Sequence, residues 1–255
     1  DMFQINDFYH YSLTGMESFG EEFIVNGKLN LESDAFRKVW EPIAHAGIYG
    51  GLCLGDGYAS DRWKTGEVIS NIGSTAGILY LRDYVTYADN TTEDIETSIL
   101  AYPRFENGKA TVVHRGGGLF ALKNENEQKN EAASVFAKWL TEKENSLGFV
   151  TKAGYLPVTN DAFDYLFANT DTVENEKYRS LYNAVNGMSD EYTYCEVPVF
   201  EGASDIQASF EKNVKSVLSV AHTEYLNRVA DGENAGTVIN ELVSSTLSEI
   251  RNLYN

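Results

Sequence analysis

Two cysteines, four prolines and only 20 lysines and arginines occur in a chain of 255 residues. Each scarcity closes some readings. Cys53 and Cys195 lie far apart, with no Cys-x-x-Cys and no histidine pair beside either, which argues against zinc. Export would permit a disulfide between them, but two buried thiols is the preferred reading. The cations are outnumbered by 38 aspartates and glutamates, for a formal net charge of -18. Such a surface repels a polyanion, which sets nucleic acid aside as a partner. No apolar run approaches the roughly 18 residues that suggest a membrane span. No internal repeat or low-complexity segment stands out. The four histidines, His10, His45, His114 and His222, are scattered, and none shares a motif with a serine or cysteine nucleophile. Carboxylates are so abundant that a pair such as Asp205 and Glu211 carries no signal of glycoside hydrolysis. Nothing argues for catalysis. No cofactor is implied either, because the run Gly116-Gly117-Gly118 lacks the flanks of a dinucleotide or phosphate loop.

What is present can build a core, since 43% of the residues are hydrophobic. Residues 1–20 read as helix, with Phe3, Phe8, Leu13 and Met16 able to share a face. Asn26-Gly27 marks a turn. Ser33 is placed to cap a helix from Ala35 to Ala46, with Phe36, Val39, Trp40 and Ile43 on one face and Pro42 as a kink or stop. Glu67–Ile72 reads as a strand, with a helix starting after Gly73-Ser74-Thr75 and ending near Tyr87. Ile95–Leu100 reads as a second strand, and Asn107-Gly108 as a hairpin turn leading to Ala110–His114. After Gly116–Gly118 a short apolar strand is expected at Leu119–Leu122, then a helix from Ala132 to Leu140, an acidic turn and a second helix. Beyond Thr159 the chain reads as mostly helical, ending in two long helices at about 208–230 and 236–253. Alternating helices and short strands predict an α/β architecture. The opening Asp1–Phe8 reads like the middle of a domain, which leads us to expect an upstream half.

Several motifs occur in a meaningful order. Trp63-Lys64-Thr65-Gly66-Glu67 precedes a strand that ends in Gly73-Ser74-Thr75. Leu100-Ala101-Tyr102-Pro103 follows, then Gly116-Gly117-Gly118, then Lys138-Trp139-Leu140-Thr141-Glu142, and finally Gly154-Tyr155-Leu156-Pro157-Val158-Thr159. Each is weak alone. As an ordered set the series resembles the extracellular solute-binding proteins that feed ABC importers, sugar-binding members of the type II periplasmic-binding-protein fold. The resemblance covers most of the chain from about residue 30 onward. It implies two α/β lobes that clamp a ligand, with the chain crossing between them. By that analogy residues 1–112 and 161–255 form the C-terminal lobe, helix-rich with a small mixed sheet. Residues 113–160 return to the N-terminal lobe through the hinge, and most of that lobe is not in the sequence.

The same resemblance singles out site residues. Ser74 and Thr75 lie where a strand turns into a helix, and their hydroxyls and the free N–H groups there can donate to a sugar hydroxyl or an anion. The competing reading is an ordinary N-cap. Gly117 or Gly118 would offer a backbone contact, through close approach or left-handed geometry, against the blander role of a flexible turn. Tyr155 would stack on a sugar ring and bond a hydroxyl, or merely pack in the hinge. Trp63, with Tyr58 and Tyr49, would add stacking surface. Glycerol-3-phosphate-binding members carry an arginine near the start of a late helix. Gln207 occupies the best-matching place here, and a neutral amide cannot clamp a phosphate. The expected ligand is therefore a neutral sugar or oligosaccharide. The expected setting is a monomer on the extracellular or periplasmic face, anchored as a lipoprotein, with an importer permease as partner. The alternative is the same fold as the extracellular sensing domain of a membrane signalling protein.

Overall fold

The computed structural model describes residues 2–255. In chain order its elements are β1 (Phe3–Ile5), α1 (Phe8–Ser18), β2 (Ile24–Val25), β3 (Lys28–Leu29), α2 (Asp34–Tyr49), α3 (Ala59–Trp63) and β4 (Ser70–Ile72). A 3₁₀ turn follows at Thr75–Tyr80. Then come β5 (Tyr84–Thr86), β6 (Thr92–Asp94), β7 (Thr111–His114), α4 (Glu127–Thr141), α5 (Lys143–Ala153), α6 (Asn160–Ala168), α7 (Glu176–Ser189), β8 (Thr193–Glu196), α8 (Ala203–Ala230) and α9 (Ala235–Asn252). Two pairs of strands are parallel, β1 with β4 and β7 with β8. Two are antiparallel hairpins, β2 with β3 and β5 with β6. This is the helix-rich α/β architecture that the sequence predicts, but in place of one small mixed sheet the described residues form four two-stranded sheets, two parallel and two antiparallel.

The start of the chain differs from the helix expected there. Phe3–Ile5 is a strand, paired in register with Ser70–Ile72. The helix begins only at Phe8, where Asp7 caps it by accepting the N–H of His10 at 2.8 Å. Three residues are too few for an alternating pattern to stand out against the helical spacing of Phe3, Phe8, Leu13 and Met16. Ser33 caps α2 as expected, through the N–H of Phe36 at 3.1 Å. The helix continues through Pro42, which lies on the exposed face, so the carbonyl it leaves without a donor can meet water. Asn26 and Gly27 both adopt positive φ and make the tight turn between β2 and β3.

Further along, the strand expected at Glu67–Ile72 is shortened to Ser70–Ile72, and the helix expected to reach Tyr87 is the six-residue 3₁₀ turn. Ile95–Leu100 and Leu119–Leu122 form no strand, because neither finds a partner among the described residues. Asn107 takes the left-handed turn conformation expected of it, but the strand after it pairs in parallel with β8 rather than back on itself.

Two cores hold the chain together. The larger gathers α1, α2, α8 and α9 around Phe8, Phe36, Trp40, Phe210, Leu218 and Ile250, all fully buried. The Trp40 indole N–H finds Thr246 Oγ1 at 3.3 Å, so its one polar atom is satisfied. The smaller core joins the 3₁₀ turn, α5, α6 and α7 through Ile78, Val150, Leu166, Leu181 and Tyr182. At roughly 25 cal/mol per Å² of apolar surface, each large side chain sealed in this way contributes about 2 kcal/mol. Helix α4 buries no residue at all, although Val135, Phe136 and Trp139 lie along it. Cys53 and Cys195 are both buried free thiols. Burial pushes the Cys195 thiol up to about 11, so it stays protonated at neutral pH.

Candidate ligand-binding site

In open α/β sheets, ligands bind outside the carboxyl ends of parallel strands. Here the ends of β1, β4 and β7 are Asn6-Asp7, Gly73-Ser74 and Arg115. The Asn6 N–H donates to the Ile72 carbonyl at 3.2 Å, which brings the first two ends together. Arg115 Nη1 lies 3.4 Å from Asp7 Oδ2 and 3.0 Å from His10 Nδ1, which adds the third. Gln207, near the start of α8, donates from Nε2 to Asp7 Oδ2 at 3.1 Å. Asp7 is therefore the hub, because it caps α1, contacts His10, and holds Arg115 and Gln207.

A second carboxyl completes the group. Glu211, one turn beyond Gln207 on α8, accepts the N–H of Tyr9 at 2.6 Å. Burial, reinforced by the negative charge of Asp7, pushes the Glu211 carboxyl up to about 8, against the opposing bond from Tyr9. Burial acts on Asp7 in the same upward direction. The hydrogen bond and charge of His10, the His10 N–H and the Glu211 carboxyl outweigh it and hold Asp7 below the usual carboxylate range. The two neighbouring acids are thus pushed apart, Asp7 toward ionisation and Glu211 toward protonation.

The residues singled out from the sequence fall into three groups. Ser74 and Thr75 stand at the start of the 3₁₀ turn, and the Ser74 hydroxyl accepts the N–H of Ala76 at 3.3 Å, as an ordinary cap does. This turn meets Gly154, whose φ is +71°. A Cβ on Gly154 would come 2.5 Å from Ile78 Cγ2 and 2.7 Å from the Thr75 carbonyl oxygen. The Gly-Tyr-Leu-Pro-Val-Thr crossing and the Gly-Ser-Thr turn are therefore neighbours, and glycine lets the backbones touch. Tyr155 is fixed through its carbonyl, which accepts the Tyr182 hydroxyl at 3.2 Å. Its ring remains 41% exposed beside Phe149.

Gln207 belongs to the second group, with the Asp7 hub, where its amide nitrogen is occupied. Gly117 and Gly118 follow Arg115 on exposed backbone outside any strand. Neither is in the left-handed region, and the space beside Gly117 is open. Trp63 stands apart from both groups. Its indole N–H donates to the Arg82 carbonyl at 3.3 Å, and the side chain is half-buried.

Sequence reasoning missed Asp7, Glu211 and the pairing role of Arg115. Reading residues 1–20 as one helix hid the cap, although an aspartate just ahead of Phe8-Tyr9 is itself an N-cap signal. Nothing in the sequence links Glu211 to Asp7 across more than two hundred residues. Among the described residues no group of three or more His, Cys, Asp or Glu could hold a metal ion, and no helix is long and apolar enough to cross a membrane.

The sequence model of one family, described as bacterial extracellular solute-binding protein, matches residues 6–178. No curated protein matches the chain. Among solved structures, the chain is similar to the maltose-bound MalE3 of T. maritima, with a TM-score of 0.53 and 14% identity over 96% of this chain and 59% of that one. It is similar also to a protein of Synechococcus sp. MITs9220 assigned as an oligosaccharide periplasmic-binding protein, with a TM-score of 0.52, 14% identity and the same two coverages. At that identity the likeness shows a shared fold. The chain spans 59% of the length of these two proteins.

Proposed function

The chain belongs to the bacterial extracellular solute-binding proteins, and from this premise we propose that it supplies most of one lobe of a sugar-capturing component of an ABC importer. The ligand is a neutral sugar or oligosaccharide, held between this lobe and a second one. The role is capture and release, with no bond made or broken. A lipoprotein anchor on the outer face and docking of the closed form on a permease complete the proposal. Residues 1–112 and 161–255 form the lobe, and residues 113–160 return toward its partner. Two observations support the last point. Leu119, Phe120 and Leu122 are 60%, 87% and 89% exposed, and α4 has no residue buried. A lone soluble domain seldom leaves so much apolar surface open.

The observation that carries the reading is the convergence of three parallel-strand ends on the Asp7 hub, with the Gly154–Tyr155 crossing adjoining the Gly73–Thr75 turn. Such a rim offers side-chain donors and acceptors, exposed glycine backbone and an aromatic face, as a polyhydroxylated ligand requires. Its cation, Arg115, already faces Asp7, and Gln207 is neutral, which favours an uncharged ligand over an anionic one.

The test is a titration of the ¹⁵N-labelled chain with maltose, glucose and a set of longer oligosaccharides, followed by NMR. Backbone amides at Gly73–Thr75 and Arg115–Gly118 should shift at millimolar sugar. If no sugar moves any of them, the sugar-capture reading falls.

A further inference from the structure

The β1–β4 pair has one apolar and one polar face. Phe3, Ile5 and Ile72 pack toward the larger core. Gln4 pairs with Asn71 in register, and beyond the last pair, Ile5 with Ile72, the Asn6 N–H donates to the Ile72 carbonyl at 3.2 Å. Side chains two apart share a face, so Gln4, Asn6 and Asn71 line the polar one. The loop before α3 covers part of it. Gln4 Nε2 donates to the Gly57 carbonyl at 2.9 Å, and Asn6 Oδ1 accepts the Ala59 N–H at 2.9 Å. That second bond fixes the Asn6 amide with its oxygen toward α3 and its nitrogen toward β4.

Gly73 then becomes informative. A Cβ placed on it would sit 2.8 Å from Asn6 Nδ2 and 3.2 Å from Asn71 Nδ2. Two carboxamide nitrogens therefore flank the same small notch, and it is open only because residue 73 has no side chain. Neither nitrogen has a hydrogen-bond acceptor among the described residues. Asn6 is exposed and Asn71 half-buried. Gly73 is not in the left-handed region, so backbone conformation does not require a glycine here.

We propose that the Gly73 notch is a binding site for a neutral ligand oxygen, a hydroxyl or acetal oxygen of a polyol or sugar, held by the amide nitrogens of Asn6 and Asn71. A ligand oxygen resting against the Gly73 Cα would lie farther out than that Cβ, on the side the two nitrogens flank, and a methyl group on residue 73 would block its approach. The donors are amides, with no cation bonded to either, which suits an uncharged oxygen better than a phosphate or carboxylate. The notch lies at the joined ends of β1 and β4, so it deepens the sugar reading above and rests on it for the identity of the natural ligand.

The side-chain NH₂ resonances of Asn6 and Asn71 test the notch directly, with maltose and glycerol as two separate probes. Both pairs of resonances should shift on addition of maltose. Gly73→Ala should weaken maltose binding about tenfold, as the loss of two neutral hydrogen bonds implies. Asn71→Ala, which leaves the notch open and breaks no protein hydrogen bond, should weaken it by a smaller factor. It also serves as the independent variant if Gly73→Ala does not fold.

If maltose shifts the strand-end backbone amides but leaves both side chains unmoved, and Gly73→Ala binds like the parent chain, the notch is overturned and the sugar reading stands. If the sugars are silent while glycerol shifts the two side chains and Gly73→Ala abolishes that shift, the notch stands and the sugar reading falls. If neither probe moves Asn6 or Asn71, the notch is overturned.

Discussion

Asp7 and Glu211 show how a single residue's surroundings decide its chemistry. Both are carboxylic acids packed against the start of α1, yet one is held ionised and the other protonated. A carboxyl raised in the folded state contributes stability that is complete below its unfolded pKa of about 4.5 and is lost as the pH climbs through about 8. Asp7 works in the opposite direction, its contribution being present at neutral pH and lost on acidification. Glu211→Gln keeps an acceptor for Tyr9 and removes the titration. Relative to this variant, the parent chain should lose stability between pH 5 and 8 by at most about 1.4 kcal/mol per pH unit. Urea unfolding of both proteins across that range measures it, and parallel stability curves would contradict the raised Glu211 carboxyl.

Gly154 gives a second prediction at this scale. Its positive φ and the Thr75 carbonyl oxygen 2.7 Å from a would-be Cβ leave no room for alanine. Gly154→Ala should cost more than about 2 kcal/mol in unfolding free energy, combining backbone strain with displacement of the 3₁₀ turn. The glycine of the crossing motif was legible in the sequence. Its contact with residue 75 was not, because nothing local encodes it.

Among the elements, α2 and α4 contrast most sharply. Both carry a tryptophan on a helix that the sequence predicts. Trp40 is fully buried between α2 and α9, whereas Trp139 is 49% exposed on a helix with no buried residue. Amphipathic spacing announces that a helix wants a partner without saying whether the partner is present. Trp40→Ala should cost about 3–5 kcal/mol. Trp139→Ala should stay within about 0.5 kcal/mol in the same chain. Comparable losses in denaturant unfolding would mean that α4 is packed after all. The strands misread at Ile95–Leu100 and Leu119–Leu122 follow the same logic, since a strand exists only where another backbone pairs with it.

At the scale of the whole molecule, the proposal makes this chain one lobe of a two-lobed trap. A ligand clamped between two lobes draws its affinity from both, so the lobe alone should bind sugar with a Kd in the millimolar range. The titration proposed above measures that constant as well as the site, and micromolar affinity from this chain by itself would argue against the one-lobe arrangement. The large net negative charge bears on solubility and on which partners are repelled, and says little about the fold.

The amino-acid sequence alone determined the family, through an ordered series of short motifs, the long terminal helices, through apolar spacing, and the start of α2, through its Ser33 cap. It also marked the turns at Asn26-Gly27 and Asn107, where positive φ favours asparagine or glycine, but its expectation of left-handed geometry at Gly117 or Gly118 did not hold. Tertiary structure decided that Phe3–Ile5 is a strand, that Asp7 joins Arg115, Gln207 and Glu211, and that Asn6 and Asn71 meet at Gly73. Each of these depends on segments distant in the chain being brought within hydrogen-bond reach. Short-range pattern carries no record of such distances, because they are set by how the two cores close.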